Sequence, residues 1–173
     1  YEAKMLYHYN HRFGDFALLP PGEREHILPQ VDDGALIDPF YTTMPRYWVD
    51  SGEVYERLQV GWKRGWLIGW RDVTDPRSSV RTVVASVFPC VAVGHTTALL
   101  FTDVDPRLVA ALYANLCSFS LDYAARQKIG GIHLTYSYLK QLPVVPPSAY
   151  GKFSPWAGTA ACERTAEMAS PVG

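Results

Sequence analysis

The chain of 173 residues, 48% of them apolar and 13% aromatic, is long enough for one domain with a sizeable core, and its composition excludes a disordered chain. It contains no run of about 18 apolar residues and no charged-then-apolar leader, so we expect no membrane partner. The formal net charge of −1, taken alone, argues against a nucleic-acid-binding protein.

The charges are segregated along the chain. Residues 14–56 contain nine acids and two bases, whereas residues 57–82 contain two acids and six bases. An acidic block therefore abuts a basic block, and such asymmetry can give a nearly neutral protein a local basic face. The alternative interpretation is an ordinary solvated charged surface.

The first third of the chain predicts few regular elements. Residues 3–9 predict a strand, because they are rich in aromatic side chains and are followed by a turn-forming asparagine. The density of proline and glycine across residues 14–45 excludes long helices and predicts a loop-rich excursion. Residues 46–49 predict a short strand, and residues 51–58 predict a short helix with Ser51 as its N-cap.

Three further strands are predicted, at residues 66–71, 82–88 and 97–102. The last two are runs of β-branched or apolar side chains bounded by Pro89 and Gly94. Tryptophans alternate with glycines and bases near the first of these strands: Trp62, Trp66 and Trp70. Such tryptophans are usually core or interface residues, and stacking on an extruded base is the alternative.

The clearest helix begins at Asp105-Pro106, an N-cap followed by proline in the first helical position. Apolar side chains recur at spacings of three or four along one predicted face: Leu108, Leu112, Leu116, Phe119 and Tyr123. Arg126 and Lys128 lie in the last turn, where the helix dipole favours cations, and Gly130-Gly131 ends the helix. The sequence therefore predicts one long C-terminal helix.

A short helix from Tyr136 to Gln141, capped by Thr135, and an edge strand over residues 142–145 are predicted next. Strands first and one long helix late indicate an α+β fold. We expect a mixed or antiparallel sheet with one long C-terminal helix, followed by a short helix and a Pro-rich exit. We expect one domain over residues 1–150 and a loosely ordered tail over residues 151–173.

The sequence contains no recognisable catalytic or metal-binding constellation. It has no Gly-rich phosphate loop and no closely spaced cysteine or histidine pairs typical of zinc sites. The three cysteines lie far apart and predict reduced thiols in a cytoplasmic protein: Cys90, Cys117 and Cys162. His8 and His11 would share a metal only on a helix, whereas their segment predicts a strand and a turn.

Short sequence blocks in a fixed order carry a family resemblance. Those before the long helix are Lys4-Met5 through His11-Arg12-Phe13, Pro45 to Val49, Gly69 to Val73 and Arg81-Thr82. Those from the helix onward are Asn115 through Asp122-Tyr123, Ala125 to Lys128, Gly130-Gly131, His133-Leu134, Leu139 to Pro143 and Pro146-Pro147. With these blocks the chain resembles the target recognition domain of single-chain adenine-N6 DNA methyltransferases. These include fused type IIG restriction–modification enzymes and BREX-type phage-defence methyltransferases. The final layout is also similar to recognition domains of type I restriction specificity subunits.

The resemblance implies a domain that docks in the major groove of double-stranded DNA and gives sequence specificity to an adenine methyltransferase. The family's catalytic Asn-Pro-Pro-Tyr motif and its S-adenosylmethionine-binding glycine motif do not occur in these residues. We therefore expect neither cofactor binding nor methylation by this chain alone. Both are expected in an N-terminal methyltransferase domain of a full-length enzyme, with other defence-system subunits as further partners. The alternative is a protein-interaction module that docks such subunits through its tryptophan-rich strand.

The candidate DNA-binding residues form two sets. The candidates for phosphate contact are Lys63, Arg64, Arg77, Arg126, Lys128 and Lys140. Gly130 and Gly131 would let backbone amides approach a phosphate or base closely, the alternative being a plain helix stop. The candidates for base reading in matched blocks are Arg12, Arg46, Arg71, Arg81 and His133. The readers are alternatively in the unmatched loops 74–80 and 94–97, which would make Arg71-Asp72 an ion pair or a packing anchor.

Overall fold

The computed structural model describes residues 1–23, 27–150 and 152. The helices are α1 (Asp33–Ile37), α2 (Ser51–Gln59), α3 (Pro106–Leu116), α4 (Phe119–Lys128) and α5 (Tyr136–Leu139). The strands are β1 (Trp66–Arg71), β2 (Ala85–Pro89) and β3 (Thr97–Leu99), and single 3₁₀ turns lie at Ala3–Met5, Phe16–Leu18 and Pro147–Ala149. The predicted α+β class is confirmed. The predicted tail lies outside the described residues, Lys152 excepted.

The sheet is antiparallel and has β1 in its centre, in the order β2-β1-β3. Gly69 in β1 faces Ser86 on one side and Leu99 on the other. A Cβ atom at Gly69 would lie 2.4 Å from the carbonyl oxygen of Ala98. Only a glycine therefore lets β3 approach β1 this closely at that position.

The strand bounds follow from where backbone hydrogen bonds are available. The bounds predicted for β1 are confirmed. The strand predicted over residues 82–88 begins only at Ala85, because the amides of Thr82 and Val83 donate to the Asp122 carboxylate instead of to a neighbouring strand. The strand predicted over residues 97–102 stops at Leu99.

The predicted helical C-terminal region is confirmed, but it forms two helices and not one, because the helix breaks after Leu116. Ser118 has extended backbone angles (φ −75°, ψ 149°), and its hydroxyl accepts the amide of Leu121, which caps a new helix. The two helices are bent by 64°. The predicted apolar face does not continue across this break, so Phe119 is 79% exposed.

Within the described residues, no single helix is long and apolar enough to cross a membrane.

Three other segments that the sequence predicted as strands do not form strands in the structure. Residues 3–9 form a 3₁₀ turn and then a tight reversal at Tyr9, which has a positive φ of 57°. Residues 46–49 and 142–145 contain no strand. The amide of Val145 donates to the Asn115 side chain, 3.0 Å away, instead of to a ladder.

Both predicted short helices are confirmed, with differences at their caps. Helix α2 is capped by Asp50 and not by Ser51, since Asp50 Oδ1 accepts the amide of Gly52 at 2.8 Å. Helix α5 follows Thr135 and is a single turn. The Thr135 side chain forms no capping hydrogen bond.

Two hydrophobic clusters hold these elements together. The first contains Trp70, Val83, Ala85, Leu116, Leu121, Ala125, Ile129, Leu134 and Leu142. The second contains Leu6, Trp62, Leu67 and Phe88. The buried indoles of Trp70 and Trp62 donate to the carbonyls of Leu134 (2.8 Å) and Trp66 (2.6 Å). These tryptophans therefore have the core role that the sequence favoured, and they do not offer a free face for stacking on a base.

Candidate functional site

Several arginines that were candidates for DNA contact instead bind carbonyl groups of the protein. Arg12 donates to Leu36 at 2.9 Å, to Asp38 at 2.8 Å and to Tyr41 at 3.0 Å. These hydrogen bonds hold helix α1 and the residues after it against Arg12. A guanidinium that already makes these three bonds has few donors left for a base.

Arg71 is a packing anchor. Its guanidinium donates to the carbonyl of Leu6 and lies 5.5 Å and 5.9 Å from the ring centres of Tyr7 and Phe13. Burial lowers the pKa of Arg71, against a smaller opposite effect of Tyr7. Among the described residues, Asp72 pairs with His133 Nδ1, 2.8 Å from its Oδ2, and not with Arg71.

The carboxylate of Asp122 in α4 is a buried hub that the sequence analysis did not single out. Its Oδ1 accepts the amides of Thr82 (2.8 Å) and Val83 (2.9 Å). Its Oδ2 accepts Arg126 Nε at 3.0 Å, and Arg81 Nε lies 3.3 Å from Oδ1. Burial raises the pKa of this carboxyl, but the two amides and the two guanidiniums outweigh burial, so the pKa is lowered.

Arg81 fixes the break between the two long helices. Its guanidinium donates to the carbonyls of Cys117 (2.8 Å) and Ser118 (3.1 Å) and covers the Phe119 ring at 4.5 Å. The side chain is 10% exposed. Arg81 is therefore a structural residue that binds the carbonyls of the C-cap of α3 and the N-cap of α4.

Arg126 fastens the loop of residues 74–80 to the last turns of α4. Its guanidinium donates to the carbonyls of Pro76 (3.0 Å), Ser79 (2.7 Å) and Val80 (2.6 Å). The same side chain is paired with Asp122. Three backbone carbonyls of this loop are therefore bound by one side chain of α4.

The remaining cations of this region lie around the end of α4. Lys128 donates to Gln141 Oε1 at 3.1 Å and so links α4 to the segment after α5. The amide of Thr74 donates to the carbonyl of Ile132 at 2.9 Å, which joins the loop to the segment between the helices. We define the α4-end surface by its exposed side chains: Arg77, Lys128, His133 and Lys140.

Gly130 and Gly131 are exposed on the α4-end surface. A Cβ atom at either position would meet nothing within 4 Å, and neither residue has a positive φ. Helix α4 ends ahead of them, at Lys128. Their backbone is open to a ligand, and close approach of a phosphate or base to it stays a prediction.

The remaining candidate cations, Lys63, Arg64 and Arg46, lie at or near a groove that is lined in part by residues of helix α2. Its volume is about 1200 Å³, and its charged lining side chains are Lys63 and Arg64. Arg64 lies 5.2 Å and 5.0 Å from the rings of Trp62 and Trp66 and donates to Val104. Three aromatic side chains of the groove are 68%, 75% and 64% exposed: Tyr47, Trp48 and Tyr55. Arg46 lies over the Tyr47 ring at 5.0 Å.

The described part of the chain contains no group of three or more histidine, cysteine or acidic side chains that could hold a metal ion. His8 Nδ1 lies 3.0 Å from the Cys117 sulfur. Burial raises the pKa of Cys117 and lowers the pKa of His8. Both shifts favour the neutral forms, so this pair is not an activated nucleophile. Cys90 and Cys117 are free thiols, and Cys162 lies outside the described residues.

No protein-family model, curated protein or solved structure matches the chain. The resemblance to methyltransferase recognition domains therefore depends on the sequence blocks alone. What the structure adds is the position of each candidate residue and the partners that each already has.

Proposed function

We propose that the chain is the sequence-specific DNA target recognition domain of an adenine-N6 DNA methyltransferase in a restriction–modification or phage-defence system in the cytoplasm. The observation that supports this most is the α4-end surface. It presents exposed cations from three separate segments that are fastened to one another by Arg126, by the Lys128–Gln141 bond and by the Thr74–Ile132 bond.

The proposal assigns phosphate contact to Lys128 and Lys140, because these side chains are exposed. It removes four arginines from the binding set, since their guanidiniums are occupied by the protein's own carbonyl or carboxylate groups: Arg12, Arg71, Arg81 and Arg126. Phosphate contacts fix the register of a protein on DNA, while base contacts in the major groove give specificity. With so few phosphate contacts, the isolated chain should bind with roughly micromolar affinity or more weakly.

Catalysis belongs to a different part of the proposed enzyme. The catalytic domain would bind S-adenosylmethionine and transfer its methyl group, and this chain would position the target adenine. The partners of the proposal are double-stranded DNA and that methyltransferase domain. We assign no catalytic residue and no cofactor to this chain.

The test is fluorescence anisotropy of a labelled DNA duplex titrated with the chain at several salt concentrations. Each phosphate contact contributes about −0.9 to the slope of log K against log salt. Two contacts therefore predict an affinity loss of about 12-fold between about 50 and 200 mM salt. The double variant Lys128→Ala/Lys140→Ala should reduce that loss to less than about 2-fold.

The matched control is Arg57→Ala, which removes an 82% exposed cation on α2 and should leave the salt slope unchanged. Thermal unfolding of each variant checks that the fold is intact. Absence of binding near 50 mM salt, or a salt slope that the double variant and Arg57→Ala change equally, would contradict the proposal.

A second candidate function is protein docking, and the groove beside α2 favours it. The tryptophan-rich strand offers little surface for the contact, because Trp62 and Trp70 are 5% and 1% exposed and Trp66 is half-buried. The groove instead offers exposed aromatic side chains, and its charged lining residues are both cationic. It therefore fits a partner subunit of the defence system that presents apolar side chains next to acidic ones.

Calorimetric titration of the chain with the partner subunits of its own system tests this second function. Trp48→Ala should weaken the complex by about 10-fold or more, as for a central aromatic contact. The control is Phe40→Ala, which removes an 88% exposed aromatic side chain that does not line the groove. Equal effects of the two substitutions would exclude the groove as the docking site.

A further inference from the structure

The loop of residues 74–80 is built as a compact turn around one carboxylate. The amide of Ser79 donates to the carbonyl of Asp75 at 2.8 Å. The Asp75 side chain accepts the amide of Arg77 at 3.0 Å and the hydroxyl of Ser78 at 2.9 Å. The loop therefore holds Asp75 in one position through its own backbone and its own side chains.

Asp75 also orients the guanidinium of Arg77. Arg77 Nε donates to Asp75 Oδ1 at 3.1 Å, although the Arg77 side chain is 84% exposed. The terminal nitrogens Nη1 and Nη2 make no hydrogen bond or ion pair with any described residue. An exposed ion pair of this kind adds little stability, but it favours one orientation of the guanidinium, whose two terminal nitrogens keep their four N–H donors for a ligand.

The loop that carries Arg77 is held against α4. Arg126 donates to three carbonyls of the loop, at Pro76, Ser79 and Val80, and is itself paired with the buried Asp122. Lys128 follows Arg126 in the same helical turn. The backbone of the loop that carries Arg77 is therefore bound to the same helix that carries Lys128, a cation that can contact a phosphate.

We infer that Arg77 reads a guanine in the major groove of DNA, with Asp75 as its positioning residue. This inference rests on the proposed DNA-recognition function and goes beyond it by naming a base and its reader. Arginine has donors and no acceptors, so it needs two neighbouring acceptors. In the major groove guanine presents two acceptors, O6 and N7, whereas adenine presents one acceptor and one donor.

The first experiment is selection of preferred duplexes from a random-sequence pool by the 173-residue chain, followed by affinity measurements on single-base variants of the selected site. Replacing the guanine read by Arg77 should weaken wild-type binding by about 10-fold or more. In Arg77→Ala the same base replacement should have no effect. Lys128→Ala, the control, should weaken binding to all sequences alike and keep the guanine preference.

The second experiment replaces that guanine by 7-deazaguanine, which lacks the N7 acceptor. Wild-type binding should weaken, and binding by Arg77→Ala should be unchanged. Asp75→Asn should lower the ratio of guanine to 7-deazaguanine affinity, while its thermal unfolding stays near that of the wild type because the loop is still held by Arg126. A stability loss without a change in this ratio would overturn the positioning role.

The outcomes separate the inference from the function on which it rests. Salt-sensitive DNA binding in which Arg77→Ala keeps the full guanine preference overturns the inference and leaves the proposed function standing. Binding without any sequence preference also overturns the inference. No binding to any duplex near 50 mM salt overturns both.

Discussion

Replacing Asp122 with alanine removes the carboxylate on which α4, two guanidiniums and the segment before β2 converge. The residues whose amides it accepts, Thr82 and Val83, are both 0% exposed. In the alanine variant neither amide has an acceptor. Arg81 and Arg126 lose their shared negative partner as well.

The structure sets the expected magnitude. A buried donor left without an acceptor costs about 1–3 kcal/mol, and removing one partner of a buried ion pair costs about 3–5 kcal/mol. These effects overlap because one carboxylate makes all the contacts, so we expect Asp122→Ala to lower the free energy of unfolding by about 4 kcal/mol. Asp122→Asn keeps one oxygen for the amides and should cost about half as much.

Urea unfolding followed by tryptophan fluorescence measures this loss. The control is Glu53→Ala, which removes the partner of Arg57 from a solvent-exposed pair whose atoms lie 3.3 Å apart. Such a pair contributes less than about 0.5 kcal/mol. If Asp122→Ala costs no more than Glu53→Ala, the proposed hub role of Asp122 is wrong.

The lowered pKa of Asp122 adds a dependence on pH. Its folded-state pKa lies below the ordinary value of 3.8, so the folded protein releases this proton more readily than the unfolded chain does. The stability that Asp122 contributes is complete above the unfolded pKa and is lost as the pH falls through the folded pKa. The stability difference between wild type and Asp122→Asn should therefore be constant near neutral pH and should shrink below about pH 4. A difference that grows on acidification would contradict this sign.

Two further predictions concern packing and thiols. In thermal unfolding, Gly69→Ala should destabilise the fold by about 2 kcal/mol or more, because its Cβ atom would meet a backbone oxygen at 2.4 Å. The control Gly61→Ala, whose Cβ atom would meet nothing within 4 Å, should cost less than about 0.5 kcal/mol. Iodoacetamide should modify the buried Cys117 more slowly than the half-buried Cys90, and mass spectrometry of the native protein would refute this by finding the reverse order.

The elements that the sequence predicted well are those whose signals are local. Strand β1 is an apolar run bounded by Gly65 and Asp72, and helix α2 begins at two adjacent residues that favour capping, Asp50 and Ser51, although the cap is Asp50 and not the predicted Ser51. The break between α3 and α4 was missed because no glycine or proline marks it. The spacing of the apolar residues did indicate a break, because Leu116 and Leu121 are five residues apart and do not continue one helical face.

Two of the segments wrongly predicted as strands, residues 3–9 and 142–145, have backbone groups bound by non-local partners. The amide of Val145 finds Asn115, thirty residues away, and the carbonyl of Leu6 receives Arg71 from the sheet. Strand-like composition indicates only that a segment could join a ladder. Whether a ladder is available depends on tertiary packing, which overrides local propensity.

The candidate site shows the same limit. The sequence identified the cations, but it could not separate an arginine that binds carbonyls from one that is free. Backbone carbonyls have no sequence signature, so the bonds of Arg12 and Arg81 could not be foreseen. The hub at Asp122 did have a signal, because it precedes Arg126 by four residues on a helix.

The central claim is that the chain binds double-stranded DNA through the α4-end surface. The most direct measurement is the dissociation constant for a DNA duplex at about 50 and 200 mM salt, for wild type and for Lys128→Ala/Lys140→Ala. The account predicts a loss of about 12-fold for the wild type and less than about 2-fold for the double variant over this range. An undetectable complex at the lower salt concentration, or the same salt dependence in both proteins, would contradict it.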